Sequence, residues 1–121
     1  MEVPAPGGGP RQIWGDSRGT LWVSEAGGGR LSRFDPLGEA WSSWDIPGGQ
    51  ADAHALYVDE QERVWLSDYR ANAILRFNPF SRHFASFPSD RPAARVTQLS
   101  GRTGEVWGAE SAQDRLVMIK Y

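Results

Sequence analysis

Cysteine is absent from the chain, which excludes disulfides, thiolate metal sites and a cysteine nucleophile from any mechanism. Lysine is almost absent: Lys120 stands alone, no Lys/Arg block forms, and thirteen basic against fifteen acidic residues leave a formal charge of −2. That balance gives no basis for a nucleic-acid surface. No stretch approaches the ~20 apolar residues of a membrane span. The start, Met1 to Pro10, has neither the basic residues nor the apolar run of a signal peptide. These absences predict a soluble, cytoplasmic protein with no membrane or nucleic-acid partner. A helical apolar period is missing as well. Aromatic residues are plentiful, and six Trp, five Phe and three Tyr within 40% hydrophobic content can build the core of one domain.

The aromatics fall into a repeat. Leu21-Trp22-Val23-Ser24-Glu25, Val64-Trp65-Leu66-Ser67-Asp68 and Val106-Trp107-Gly108-Ala109-Glu110 recur at a spacing of 42 to 43 residues. In step with the tryptophans run Leu31, Ile74 and Leu116, then Arg33, Arg76 and Met118, then Phe34, Phe77 and Ile119. A period near ~40 residues with several short alternating segments is the signature of a β-propeller blade. The alternation predicts strand a at 11–15, 54–58 and 95–99 and strand b at 20–25, 63–68 and 105–110. Strand c is predicted at 30–34, 73–77 and 115–120, and strand d at 40–46 and 83–87. Turn signals separate a from b, as in Asp16-Ser17-Arg18-Gly19 and Asp59-Glu60-Gln61-Glu62.

The third unit ends without a strand d. Pro4, Pro47 and Pro88 each precede a strand a by seven residues, to Arg11, His54 and Arg95, which aligns Glu2-Val3-Pro4 with the end of strand d. The expected fold is therefore an all-β propeller fragment of three four-stranded blades, at about 11–47, 54–88 and 95–121, with 1–4 as the closing strand. Three blades are fewer than the ~4 to 8 that close a ring. Their flanks would be bare apolar sheet, so the expectation is a homodimer forming a six-bladed ring, or else a piece of a longer propeller.

The chain resembles the virginiamycin B lyase (streptogramin lyase) family of seven-bladed propellers. The likeness is carried by Asp16-Ser17-Arg18-Gly19-Thr20-Leu21-Trp22-Val23-Ser24-Glu25 and Arg30-Leu31-Ser32-Arg33-Phe34-Asp35-Pro36, echoed by Arg63 to Asp68 and Ala73 to Pro79. It covers nearly the whole chain but less than half of a family member, and related motifs occur in gluconolactonase-like and NHL-type propellers. The resemblance implies a Mg²⁺-assisted carbon–oxygen lyase acting on a cyclic depsipeptide lactone, with a histidine moving the proton and a glutamate fourteen residues later. His54 and Asp68 have that spacing, with the carboxylate one carbon shorter.

Strand a begins near the channel in a propeller, so Arg11, His54 and Arg95 are expected to converge on a pocket, His54 as acid/base and the arginines as substrate-binding groups. Their partners Glu25, Asp68 and Glu110 read either as a carboxylate ring for Mg²⁺ or, more simply, as acids bonded within their own blades. One basic and one acidic residue per blade also fits three structural charge pairs. Trp22, Trp65 and Trp107 read as core, each worth ~3–5 kcal/mol on replacement by Ala. Trp14 and Tyr57 read as aromatics outside the repeat, making Tyr57 a candidate ligand platform, with blade packing as its simpler role. His83 falls on an outer strand, and the Gly7-Gly8-Gly9 and Gly27-Gly28-Gly29 runs read as loops. Two functions follow: a metal-assisted lyase, or a non-catalytic propeller module that binds a small molecule or partner at the channel mouth.

Overall fold

The computed structural model describes residues 2–121. Blade 1 is an antiparallel sheet of β1 (Pro10–Gly15), β2 (Leu21–Glu25), β3 (Arg30–Asp35) and β4 (Ala40–Asp45). Blade 2 repeats it with β5 (Ala53–Val58), β6 (Val64–Asp68), β7 (Ala73–Asn78) and β8 (His83–Pro88). Blade 3 has β9 (Val96–Arg102), β10 (Glu105–Glu110) and β11 (Arg115–Lys120), with a single 3₁₀ turn at Ser111–Gln113. The first strands β1, β5 and β9 lie side by side along the inner edge of the arc.

Each blade has a forward face that meets the next blade and a rear face that meets the previous one. Trp22, Leu31 and Ile46 of blade 1 pack against Leu56, Val64, Leu66 and Phe77 of blade 2. Trp65 and Ile74 of blade 2 pack in the same way on Val96, Leu99 and Val106 of blade 3. On each forward face an arginine sits between two aromatics, Arg33 over Trp22 and Trp44 and Arg76 over Trp65 and Phe87, at 5.4–5.7 Å from the ring centroids.

The a–b turn is tied to the core by its aspartate. Asp16 accepts from the backbone N–H of Arg18 and Thr20 and from the Trp22 indole at 2.9 Å. Asp59 does the same for Gln61, Arg63 and the Trp65 indole at 2.8 Å. The aspartate thus serves as turn former and core anchor together.

Four expectations change. Blade 3 holds three strands within one chain, and residues 2–4 form no strand but line shallow depressions beside Phe34 and Trp41 of blade 1. Pro47 and Pro88 are not equivalent: Pro88 pairs with Ala73 at the end of β8, the place held by Asp45, which pairs with Arg30, in β4. A proline is tolerated there because β8 is an edge strand. Trp107 is 37% exposed whereas Trp22 and Trp65 are 1% and 0%, since no further blade covers it. Trp14 and Tyr57 do occupy one repeat position, opposite Trp22 and Trp65, and their rings pack edge to face at 5.3 Å.

Tyr57 then lies against Gly101, where an added Cβ would stand 2.5 Å from the Glu105 carbonyl oxygen and 2.8 Å from the Tyr57 ring. Replacing Gly101 with Ala should therefore cost about 1–3 kcal/mol by overpacking, measured by urea unfolding.

Candidate channel-mouth site

A β-bulge opens strand a of every blade. The register shifts between Pro10 and Gln12, between Ala53 and Leu56, and opposite Ala109 and Glu110 in blade 3. The bulge turns side chains toward the inner edge and leaves a backbone N–H without a ladder partner. The motif serine supplies that partner: Ser24 Oγ accepts from Gln12 N–H at 3.1 Å, and Ser67 Oγ from Ala55 N–H at 2.9 Å. Ser24 also donates to the His54 carbonyl at 2.7 Å, stitching blade 1 to blade 2. The serine's recurrence was the available signal for this role, which the sequence reading left unassigned.

Register also revises which residues are equivalent. Pro10, Ala53 and Val96 pair with Glu25, Asp68 and Glu110, so the position of Arg11 and His54 belongs in blade 3 to Thr97. Arg95 is the counterpart of Asp52, because the carbonyls of Gly9, Asp52 and Arg95 accept from Ala26, Tyr69 and Ser111 in turn. The proline spacing misled the alignment: Pro88 holds the place of Asp45, two residues short of Pro47, so counting seven residues on reaches Arg95 and not Thr97.

The site itself gathers Arg11, Asp52, His54, Tyr69 and Arg95. His54 Nε2 lies 3.1 Å from Asp52 Oδ1, and the Arg11 guanidinium lies 3.2 Å from Nδ1 and 2.9 Å from Nε2. An arginine can only donate, so one ring nitrogen facing Arg11 must be unprotonated and the ring neutral; in the tautomer whose Nε2–H donates to Asp52, that acceptor is Nδ1. The imidazole stacks on Tyr69 with centroids 3.6 Å apart and planes 8° from parallel. Arg95 covers Tyr69 with its guanidinium carbon 5.9 Å from the ring centroid. Burial lowers the His54 pKa below 6.5; Asp52 opposes the shift, while Arg11 and Arg95 reinforce it. Burial likewise raises that of Tyr69, against the pull of Arg95.

The predicted charge pairs do not form. Asp68 accepts from the backbone N–H of Asp52, Arg70 and Ala71 and does not meet His54. It acts on the site through the backbone of Asp52, and so sets where the Asp52 carboxylate sits. Glu25 accepts from Gly7 N–H at 2.6 Å and from Ser32, not from Arg11. Glu110 accepts from Ser89 at 2.6 Å and from Arg115, not from Arg95. The reason is the bulge, which sends the strand-a side chain toward the inner edge while the acid turns into its own sheet.

The donor set for Mg²⁺ fails on the same ground. Glu25, Asp68 and Glu110 are buried in three separate blades with protein donors on their oxygens, and no three His, Asp or Glu side chains converge among the described residues. The residues present do not fit that ion. Tyr57 lies elsewhere too, at the far end of β5 beside Glu60 and Asp59, whose charges join burial in raising its pKa.

A cleft of about 200 Å³ between blades 2 and 3 adjoins the site, lined by Tyr69, Arg95, Ser89, Glu110 and apolar residues including Phe87 and Ile119. Between blades 1 and 2 the buried Ile46 takes the place of Ser89. No helix of the described residues is long and apolar enough to cross a membrane.

No family model and no curated protein matches the chain. Solved structures do. A streptogramin B lyase structure aligns at a TM-score of 0.81 and 16% identity over 97% of this chain and 42% of that one. The virginiamycin B lyase of Staphylococcus aureus aligns at 0.81 and 16% over 100% of this chain and 44% of that one, also in a catalytically inactive histidine variant with quinupristin. The pyranose dehydrogenase PQQ domain of Coprinopsis cinerea gives 0.59 and 20% over 88% of this chain and 28% of that one. The chain spans less than half the length of the lyases it matches. Sheet order, blade packing and these alignments together give it the fold of three consecutive blades of a lyase-like β-propeller.

Proposed function

We propose that the chain is a ligand-binding propeller module whose channel mouth holds a small carboxylate-bearing molecule, within a ring closed by further blades. The observation that carries this reading is the convergence of Arg11 from blade 1, His54 from blade 2 and Arg95 from the entry to blade 3 around one stacked imidazole–phenol pair. Two guanidinium groups face a single site carboxylate, Asp52, so the mouth has an unspent positive charge. Arginine forks match carboxylate geometry, and the flat His54–Tyr69 stack offers an apolar shelf beside them. Asp52 and Tyr69 hold His54 in place, which suits a preformed binding surface.

Titration of the protein with citrate by calorimetry tests this. Arg11→Gln and Arg95→Gln should each weaken binding about tenfold, the loss of one hydrogen bond to a charged group. Because His54 is held neutral, lowering the pH through and below its depressed pKa adds a positive charge to the mouth. Affinity should rise as pH falls below the ordinary imidazole range near ~6.5, and His54→Gln should abolish that rise. The folded state, by contrast, loses stability over the same descent, because the neutral ring is the form that the fold favours.

A lyase reading rests on the Asp52–His54 hydrogen bond, which orients an imidazole as a proton acceptor would need. The Arg11 guanidinium lies against the imidazole, so a substrate would have to displace it before a proton could move. Incubation with a streptogramin B depsipeptide and Mg²⁺ decides between the two. The binding reading expects no ring opening; ring opening lost in His54→Ala would assign a lyase instead.

A further inference from the structure

We infer that the two open faces of the arc bind each other between two copies of this chain, head to tail, closing a six-bladed ring. This rests on the reading that the mouth works within a closed ring. The argument is that both halves of the missing interface are present, each a copy of a face already packed within the chain.

On the forward side, Trp107, Leu116 and Met118 of blade 3 stand where Trp22, Leu31 and Arg33 stand in blade 1, and all three are exposed. On the rear side, Ile13, Leu21 and Phe34 of blade 1 stand where Leu56, Val64 and Phe77 stand in blade 2. The blade 2 set is fully packed by Trp22 and its neighbours, while Ile13 is 61% exposed above an apolar depression of about 530 Å³. Inside the chain, Trp22 meets Phe77 with centroids 6.0 Å apart. The same step places Trp107 of one copy on Phe34 of the other.

Residues 2–6 agree with this arrangement. Strand β4 of blade 1 lays Trp44 on blade 2 at Phe77, with centroids 5.0 Å apart, beside Phe84. Val3 lies in the corresponding place on blade 1, beside Phe34 and Trp41. Among the described residues it holds the position of a fourth strand with no third strand to pair with, and β11 is a third strand with no fourth. An incoming blade 3 brings β11 alongside it. Pro4 and Pro6 alternate with Val3 and Ala5. In an extended strand the N–H groups of Val3 and Ala5 then face β11, while the prolines, which have none, face solvent and blunt the new edge. Head-to-tail contact that closes after two copies leaves no bare face.

Sedimentation equilibrium at micromolar concentration should give twice the chain mass of 13.4 kDa. Leu116→Arg and Ile13→Arg each place a charge on an exposed position of one face, and each alone should return the mass to one chain with an unchanged circular dichroism spectrum. An equimolar mixture of the two variants retains one intact interface and should recover a dimer more than tenfold weaker than the wild type. A single-chain mass for the wild type, an assembly larger than two, or a dimer indifferent to either charge would overturn the inference. Citrate binding by a protein of single-chain mass would sink this ring while sparing the mouth. A dimer that binds no carboxylate would do the reverse.

Discussion

Trp65→Ala is expected to lower the free energy of unfolding by about 3–5 kcal/mol, and Trp107→Ala by less than about 1 kcal/mol. The two residues share one repeat position, on the second strands β6 and β10 of their blades, yet their surroundings differ. Trp65 is fully buried, with Phe87 and Tyr121 at centroid distances of 5.5 and 5.3 Å and Arg76 over its face. Removing it opens a cavity between blades that the rigid ladders on either side cannot collapse to fill. Trp107 has the other face of its sheet bare, so its loss exposes little that was hidden. Urea unfolding of both variants in the Ile13→Arg background, where no second copy covers Trp107, measures the contrast. Equal losses would mean that blade 3 is packed on both sides within one chain.

Asp59→Ala is expected to cost about 2–3 kcal/mol, because it strands the buried Trp65 indole N–H and releases two turn amides in one step. Asp16→Ala removes the same contacts at a more exposed position in blade 1 and should cost about half as much. Acid unfolding provides an independent check. Burial pushes the Asp16 carboxyl up, but hydrogen bonds from Thr20, Trp22 and Arg18 outweigh it and hold the pKa below 3.8. The stability this group supplies is present above the ordinary carboxylate range and is lost as pH falls through the lowered value. The Asp16→Ala variant should therefore show a shallower loss of stability in that acid range than the wild type.

Much of the fold was legible because its signals are local. Alternation of large apolar and small residues marks a strand wherever it occurs, and the tryptophan repeat fixed the blade period and the strand bounds to within a residue or two, except that β9 runs three residues past its expected end. The a–b turns were also readable, since an aspartate bonds its own backbone two residues on, as Asp16 does for Arg18 and Asp59 for Gln61. The site was less legible. Arg11 lies beside His54 and Arg95 beside Tyr69, while the acids expected as their partners bond elsewhere. A bulge shifts pairing by one residue and thereby exchanges which side chain faces inward. Nothing in the residue spacing of Arg11 to Glu25 or His54 to Asp68 records that shift. Asp52 and Tyr69 were missed because they sit in connections, where no period marks them.

The sequence by itself determined the strand order, the repeat and the identity of the aromatic faces, because each depends on chain-local alternation and on a period that one polypeptide carries. Only the tertiary structure decided that the acids turn into their own sheets, that Arg95 stands in for Asp52 and not for His54, and that Trp107 and Ile13 are left bare. Those outcomes depend on hydrogen-bond register between strands and on which blade has a neighbour, and both are relations between segments far apart in the chain.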